Sequence, residues 1–305
     1  MLAVAVIAAL AGNARTKQVA GDAVRGPLPP PPAVGDCVLE PLPESVLNAF
    51  SGPGEVDDHL TARIAPCSGG RYGEVVAVVA AGLDYSAPTR GDVWTDQNSP
   101  ANTCSAAAET YLGDEAVDYL HGWSPATAMA LGGVAPDPVL ARAGQRWLAC
   151  VVVGIGEPEG ALRQTQRYSR TLRNALSSLR LPPELAQCAP ALPAMGASVE
   201  TVSCGRPHTA ELFGTAASDR PDDAEQVRLT GECGDFVRKL SGTGDPTAGG
   251  RLRVRVTSVQ LPPDSADTGP DAVGPVYYYC GVEAVAGHVL TGPLLGLGIG
   301  PLPVR

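Results

Sequence analysis

The sequence predicts an α+β fold built as two tandem, homologous, disulfide-stapled modules. Each would be a small, mainly antiparallel sheet with a short packed helix. Three observations predict it. Eight cysteines divide four and four, and the surroundings of each correspond in order between the halves. The third and fourth cysteines of each set lie 46 residues apart (Cys104 to Cys150) and 47 apart (Cys233 to Cys280). Short apolar runs of strand character alternate with short helical stretches and long polar loops, the mixture that α+β folds display.

The bulk composition bounds the rest. A chain of 305 residues has room for about two domains. Gly 36 and Pro 29 make turns plentiful, while 44% hydrophobic residues suffice for packed cores. A net charge of −10 excludes the basic footprint of a nucleic-acid-binding protein.

At the N-terminus, Leu2 to Ala11 is apolar but far short of the ~20 residues a bilayer requires. No positive n-region precedes it, as a complete signal peptide would have. Residues 1–19 are therefore read as the trailing part of a longer membrane anchor or export signal; a short buried apolar end is the alternative. Residues 20–33 follow as a linker, where Pro29 to Pro32 favour semi-rigid polyproline II. Anchor, stiff spacer and globular body suit a protein held at the cell membrane with its body outside the cytoplasm, or one secreted.

Module 1 is expected over residues 34–156. Cys37 lies in a proline-rich opening, Cys67 follows a strand over 62–65, and a second strand runs over 74–80. Cys104 is expected to open a helix over 105–112. A helix over 139–143 leads to a strand over 146–153 that carries Cys150. Module 2, residues 185–305, repeats the order. Cys188 sits in a proline-rich segment, strands cover 198–202 and 210–215 around Cys204, and Cys233 opens a helix over 233–240. Strands over 252–260 and 276–285 follow, the second bearing Cys280. Residues 157–184 join the modules. Leu162, Tyr168, Leu172, Leu176 and Leu179 have helical spacing, five arginines from Arg163 to Arg180 line the stretch, and Pro182 and Pro183 stop it. That pattern predicts an amphipathic helix over 160–181.

Eight cysteines in an exported chain read as four disulfides. First-to-second and third-to-fourth pairing in each half is favoured: 37–67, 104–150, 188–204 and 233–280. Zinc is the rival explanation. It is disfavoured because no C-x-x-C pair exists and His59, His121, His208 and His288 form no spaced ligand set. The missing C-x-x-C also argues against a redox enzyme. No metal or other cofactor is expected.

The stretch VSCGRPHTAELFG places Cys204, Pro207, His208 and Glu211 together. Glu74 and Glu211 each stand seven residues after the second cysteine of their half, and are the only carboxylates that recur so. Arg71 occupies the position of His208. An imidazole needed as metal ligand or base could not be exchanged for a guanidinium, so a shared chemical role is disfavoured. Alternation along a strand also predicts that His208 and Glu211 face opposite sides. No G-x-S-x-G, H-E-x-x-H, P-loop or dinucleotide fingerprint appears, so no catalytic residue is assigned. Trp94 and Trp123, in loops, are either sugar-stacking platforms or core. The ladder RLRVRV, Arg251 to Val256, reads as a half-buried strand with one cationic face.

VGDCV, CGRPHTAELFG, a helix-opening cysteine and a final aromatic strand with a cysteine together resemble the septum formation family of actinobacterial envelope proteins, in two tandem copies. Module 2 has the C-x-x-P-H-x-x-E pattern at Cys204, Pro207, His208 and Glu211. Module 1 keeps Gly35, Asp36 and Cys37 but has Arg71 for the histidine, with Glu74 retained. The resemblance implies a membrane-anchored, extracytoplasmic, non-enzymatic protein that binds or scaffolds during septum formation or wall assembly. Its partners would be an envelope or divisome protein or a cell-wall polymer. A peptidoglycan- or carbohydrate-binding module and an envelope hydrolase are the alternatives.

Overall fold

A computed structural model describes residues 27–43, 61–80, 100–114, 122–156, 165–193, 200–218, 223–260 and 276–305. The expected anchor over 1–19, the linker as far as residue 26, and Trp94, His59 and His121 lie outside the described residues. The chain divides into two units, Met1–Pro30 and Pro31–Arg305. In the first, Pro27 to Pro30 are exposed coil. No helix among the described residues is long and apolar enough to cross a membrane.

In the second unit the strands are β1 (Cys37–Val38), β2 (Ile64–Ala65), β3 (Gly73–Ala80), β4 (Ser124–Pro125), β5 (Met129–Val134) and β6 (Trp147–Ile155). They continue as β7 (Thr165–Gln166), β8 (Gln187–Ala189), β9 (Ala210–Ser218), β10 (Leu252–Gln260) and β11 (Val276–Ala284). The helices are α1 (Pro100–Leu112), α2 (Pro138–Arg142) and α3 (Asp223–Ser241). This is a mixed α/β protein with antiparallel sheets and few helices.

One sheet has the order β2-β1-β3-β6-β5, with β7 on the end of β6; the other runs β10-β11-β9-β4, with β8 on β9. Both therefore place their long strands in one relation. A short strand (β1 or β8) flanks the strand that carries the buried glutamate (β3 or β9), which pairs with the cysteine-bearing strand (β6 or β11). Registers agree too. Cys37 stands opposite Glu74 and Cys188 opposite Glu211. A bulge two residues past each glutamate, at Val76 and at Phe213, brings Cys150 opposite Ala77 and Cys280 opposite Gly214.

β6 is central, flanked by β3 and β5, and its residues Leu148 to Gly154 are buried. A continuous apolar run is what a strand covered on both faces needs. Helix α1 buries Cys104, Ala108, Tyr111 and Leu112, and α3 buries Leu229, Cys233, Phe236, Val237 and Leu240. Both stripes follow the three-and-four spacing of a helix with one apolar face. Each helix ends at a glycine with positive φ, Gly113 (77°) and Gly242 (72°), the left-handed residue that closes a helix at little steric cost.

The bridges join Cys37–Cys67, Cys104–Cys150, Cys188–Cys204 and Cys233–Cys280. Two of them clamp a helix to the sheet beneath it, α1 to β6 and α3 to β11. Neither Cys104 nor Cys233 opens its helix, as the sequence led us to expect, because the apolar stripe of α3 already begins at Leu229. Gly231 and Gly234 each cost a helix about 1 kcal/mol, which hides that first half from a propensity reading.

The helix expected over 160–181 does not form in the described part of that stretch. Thr165–Gln166 is a strand and residues 173–179 run as successive turns. The apolar spacing is real, since Tyr168, Leu172, Ala175 and Leu176 are buried. Their backbone is held by tertiary partners instead: Leu172 N–H binds the Glu74 carboxylate, Asn174 N–H binds Tyr111 O, and Leu176 N–H binds Leu112 O. Asn174 and Leu179 take positive φ (56° and 50°), which no continuous α-helix contains.

The halves share a core. β4, from the first half of the chain, adds to β9 in the second sheet. Trp123 beside it is wholly buried and stacks on Phe236 of α3, with ring centroids 6.4 Å apart. Trp123 is core, then, and no sugar platform. On the edge strand β10, Arg253 and Arg255 are exposed between less exposed neighbours, as the ladder predicts, and Arg255 reaches Glu283 of β11 at 2.6 Å.

Candidate functional site

Among the described residues two glutamates are wholly buried, Glu74 and Glu211, each the second residue of its strand. A buried carboxylate persists only where donors replace its lost water. Glu74 has a full set. Arg71 Nη1 donates to Oε1 at 2.9 Å, Tyr111 OH to Oε2 at 2.7 Å, and Thr171 Oγ1 to Oε2 at 3.0 Å. Leu172 N–H lies 3.1 Å from both oxygens. Burial, and then the neighbouring Glu74, push the Tyr111 phenol up to about 12. The Tyr168 phenol is raised further for the same reasons.

Glu211 has fewer partners. Its Oε2 accepts from Leu294 N–H at 2.6 Å and its Oε1 from Leu295 N–H at 2.8 Å. Burial pushes its carboxyl up to about 7, and those two backbone bonds pull the other way. Both glutamates thus tie a strap of chain to a sheet: residues 168–176 in one case, the C-terminal segment in the other.

His208 stands beside Glu211 as Arg71 stands beside Glu74. Each enters its sheet through an isolated bridge, Arg71 with Tyr168 and His208 with Leu290. The two do not face apart, contrary to the sequence expectation. β9 starts only at Ala210, so period-two alternation does not extend back to His208. A ring nitrogen of His208, a Glu211 oxygen and Cys188 Sγ all lie within 4.8 Å of one another, and all three residues are buried. The parallel spacing R-Y-G-E and H-T-A-E carried the signal that His208 and Glu211 converge.

The tautomer of His208 follows from its neighbours. Nδ1 lies 2.8 Å from Arg206 O; a carbonyl only accepts, so Nδ1 carries the proton. Nε2 then presents a lone pair, buried and without a hydrogen-bond partner, an arrangement that costs about 1–3 kcal/mol. Burial also lowers the imidazole pKa, which keeps the ring neutral. Pro207 is exposed in the turn that delivers His208. His288, elsewhere, is not buried and binds Arg305 O through Nδ1 at 3.2 Å.

Next to this cluster a cavity of about 440 Å³ opens where the two sheets meet. Residues 127–129 and 201–204, Gln166, Gln187 and the Cys188–Cys204 bridge line it, and among the described residues no lining side chain is charged. Gln166 and Gln187 are held in place by donating to Glu184 O (2.6 Å) and Thr127 O (2.9 Å). The cavity suits an uncharged, hydrogen-bonding ligand or loop.

Fold and site together define a class: a disulfide-stapled, mixed α/β protein whose sheets are fastened to straps of chain by buried carboxylates, with a neutral cavity at the seam. Among known families, the model of the Septum formation family matches residues 114–260 in one copy. That window runs from the end of α1 to the end of β10 and does not coincide with either expected module. No curated protein and no solved structure matches the chain. The family match links the chain to septum formation, and the four disulfides fit an extracellular domain.

Proposed function

We propose that this chain is a non-enzymatic binding protein of the bacterial cell envelope, tethered to the membrane by its N-terminal segment, with its body outside the cytoplasm. It acts in septum formation or wall assembly by holding an envelope protein, a divisome protein or a wall polymer. The body is two copies of one module that have fused their cores. The shared strand relation, bulge position and cysteine-to-glutamate register support the duplication.

One observation carries the functional reading. Every described residue that lines the seam cavity falls within the window matched by the Septum formation family. The cavity is the recognition site, and its uncharged lining selects a neutral hydrogen-bonding segment, such as a peptide stem or a sugar. A photo-crosslinking residue at Thr201, on the cavity wall, tests this in living cells against one at Val227, an exposed position on α3. Thr201 should capture a wall fragment or an envelope or division protein that Val227 does not. Equal, background capture at both positions rejects the reading.

A further inference from the structure

We propose that Cys188, Cys204, His208 and Glu211 form a redox-gated zinc site, closed while the Cys188–Cys204 bridge stands and opened when a dithiol reductant cleaves it. Three of the four already bring ligand atoms within 4.8 Å of one another. The fourth, Cys204 Sγ, is covalently bonded to Cys188 Sγ. A tetrahedral zinc with bonds of about 2.0–2.3 Å holds its ligand atoms roughly 3.5 Å apart. The cluster needs only a small contraction between its sulfur, nitrogen and oxygen, and the two sulfurs must separate. Reduction permits that separation.

The surroundings are those of a prepared ligand set. His208 is neutral, donates Nδ1–H to Arg206 O, and turns an unpartnered Nε2 lone pair into the buried interior. That second-shell bond is the one that orients metal-binding imidazoles. Glu211 is positioned by two backbone N–H groups. Both cysteines line the seam cavity, which supplies the route for reductant and metal. In the first half Arg71 fills the position of His208 and forms an ion pair with Glu74, so the zinc site belongs to the second half alone.

The chemistry balances with a dithiol as the two-electron donor. Its thiolate attacks Sγ of Cys204, the less buried of the two cysteines, forming a mixed disulfide while Cys188 leaves as a thiolate. The second thiol of the reductant then displaces Cys204, leaving the reductant oxidised to a disulfide and both cysteines reduced. Zinc binding to the two thiolates releases the protons they would otherwise hold.

Cys204→Ser supplies the test without reductant, because it frees Cys188 and leaves the other three bridges intact. In non-reducing buffer, C204S should bind one zinc ion at least about 10-fold more tightly than C204S/H208A. Cobalt(II) in place of zinc should show a thiolate charge-transfer band in C204S only. The oxidised wild-type protein should bind neither ion. Equal affinity in C204S and C204S/H208A, or zinc bound by the oxidised protein, overturns the proposal. If C204S does not fold, the wild-type protein treated with a dithiol serves instead. Zinc should then slow alkylation of Cys188 and Cys204 at least about 10-fold, an effect absent in His208→Ala. No protection in the wild-type protein is equally decisive against the site.

Discussion

Arg71 Nη1 lies 2.9 Å from Glu74 Oε1, and among the described residues this buried ion pair has no cationic equivalent in the second half, where His208 takes the arginine's place beside Glu211. The difference sets the energetics of the two carboxylates apart. Glu74→Gln leaves Arg71, only 11% exposed, without its counter-charge. Breaking a buried pair in this way costs about 3–5 kcal/mol. Glu211→Gln removes a buried carboxylate that no described cation compensates and keeps an oxygen for one of the two backbone donors. The other donor is left unpaired, a cost of about 1–3 kcal/mol, below the loss at Glu74. Guanidinium unfolding followed by circular dichroism measures both; equal losses contradict the distinction.

Tyr111 makes the protein sensitive to alkali. Its phenol ordinarily titrates near 10.0 and is held up to about 12 in the fold, by burial and then by Glu74. An acid whose folded pKa is raised contributes stability that is complete below its unfolded pKa and is lost as pH rises through the folded one. The Tyr111 contribution is therefore intact below pH ~10 and disappears by about pH 12. At neutral pH, Tyr111→Phe should cost about 1 kcal/mol through its lost hydrogen bond to Glu74. That difference from the wild type should shrink between pH 10.0 and about 12. A gap that stays constant across this range shows that the phenol does not titrate with folding.

The bridges that clamp helices to sheets close loops of 46 and 47 residues. Restricting the unfolded chain through loops of that length contributes up to about 4 kcal/mol each, against about 3 kcal/mol for the 16-residue loop of Cys188–Cys204. Paired serine substitutions at Cys104 and Cys150, or at Cys233 and Cys280, should lower the unfolding free energy more than the pair at Cys188 and Cys204. Calorimetric or denaturant unfolding in the absence of reductant gives the order. The reverse order means that strain or residual structure, rather than loop length, controls the effect.

Trp123 fills the space between the strand it precedes and α3. Truncation to alanine in a core of this kind costs about 3–5 kcal/mol. A sugar platform would unfold at nearly the wild-type midpoint after the same change. Thermal unfolding of Trp123→Ala distinguishes the two, and a loss below about 1 kcal/mol refutes the core assignment.

Cysteine spacing, the paired glutamates and the long strands were legible without coordinates. β10 begins and ends where alternation places it, and the four bridges pair within the halves as spacing favours. Those features are local or covalent: they depend on side-chain period, or on which sulfur a short loop can reach. The brief strands β1, β4, β5, β7 and β8 escaped because two to six residues carry too little pattern, and β5 holds two glycines.

Only the tertiary structure decided what the buried groups do. The stretch over 160–181 has a helical apolar spacing, yet Glu74, Tyr111 and Leu112 capture its backbone and turn it into a strap. His208 and Glu211 meet because the chain bends at Arg206 and Thr209 before β9 begins, which no strand periodicity encodes. Trp123 became core when β4 crossed to the second sheet. In each case a long-range partner outweighed the local preference, since an unsatisfied buried polar group costs more than a lost turn of helix.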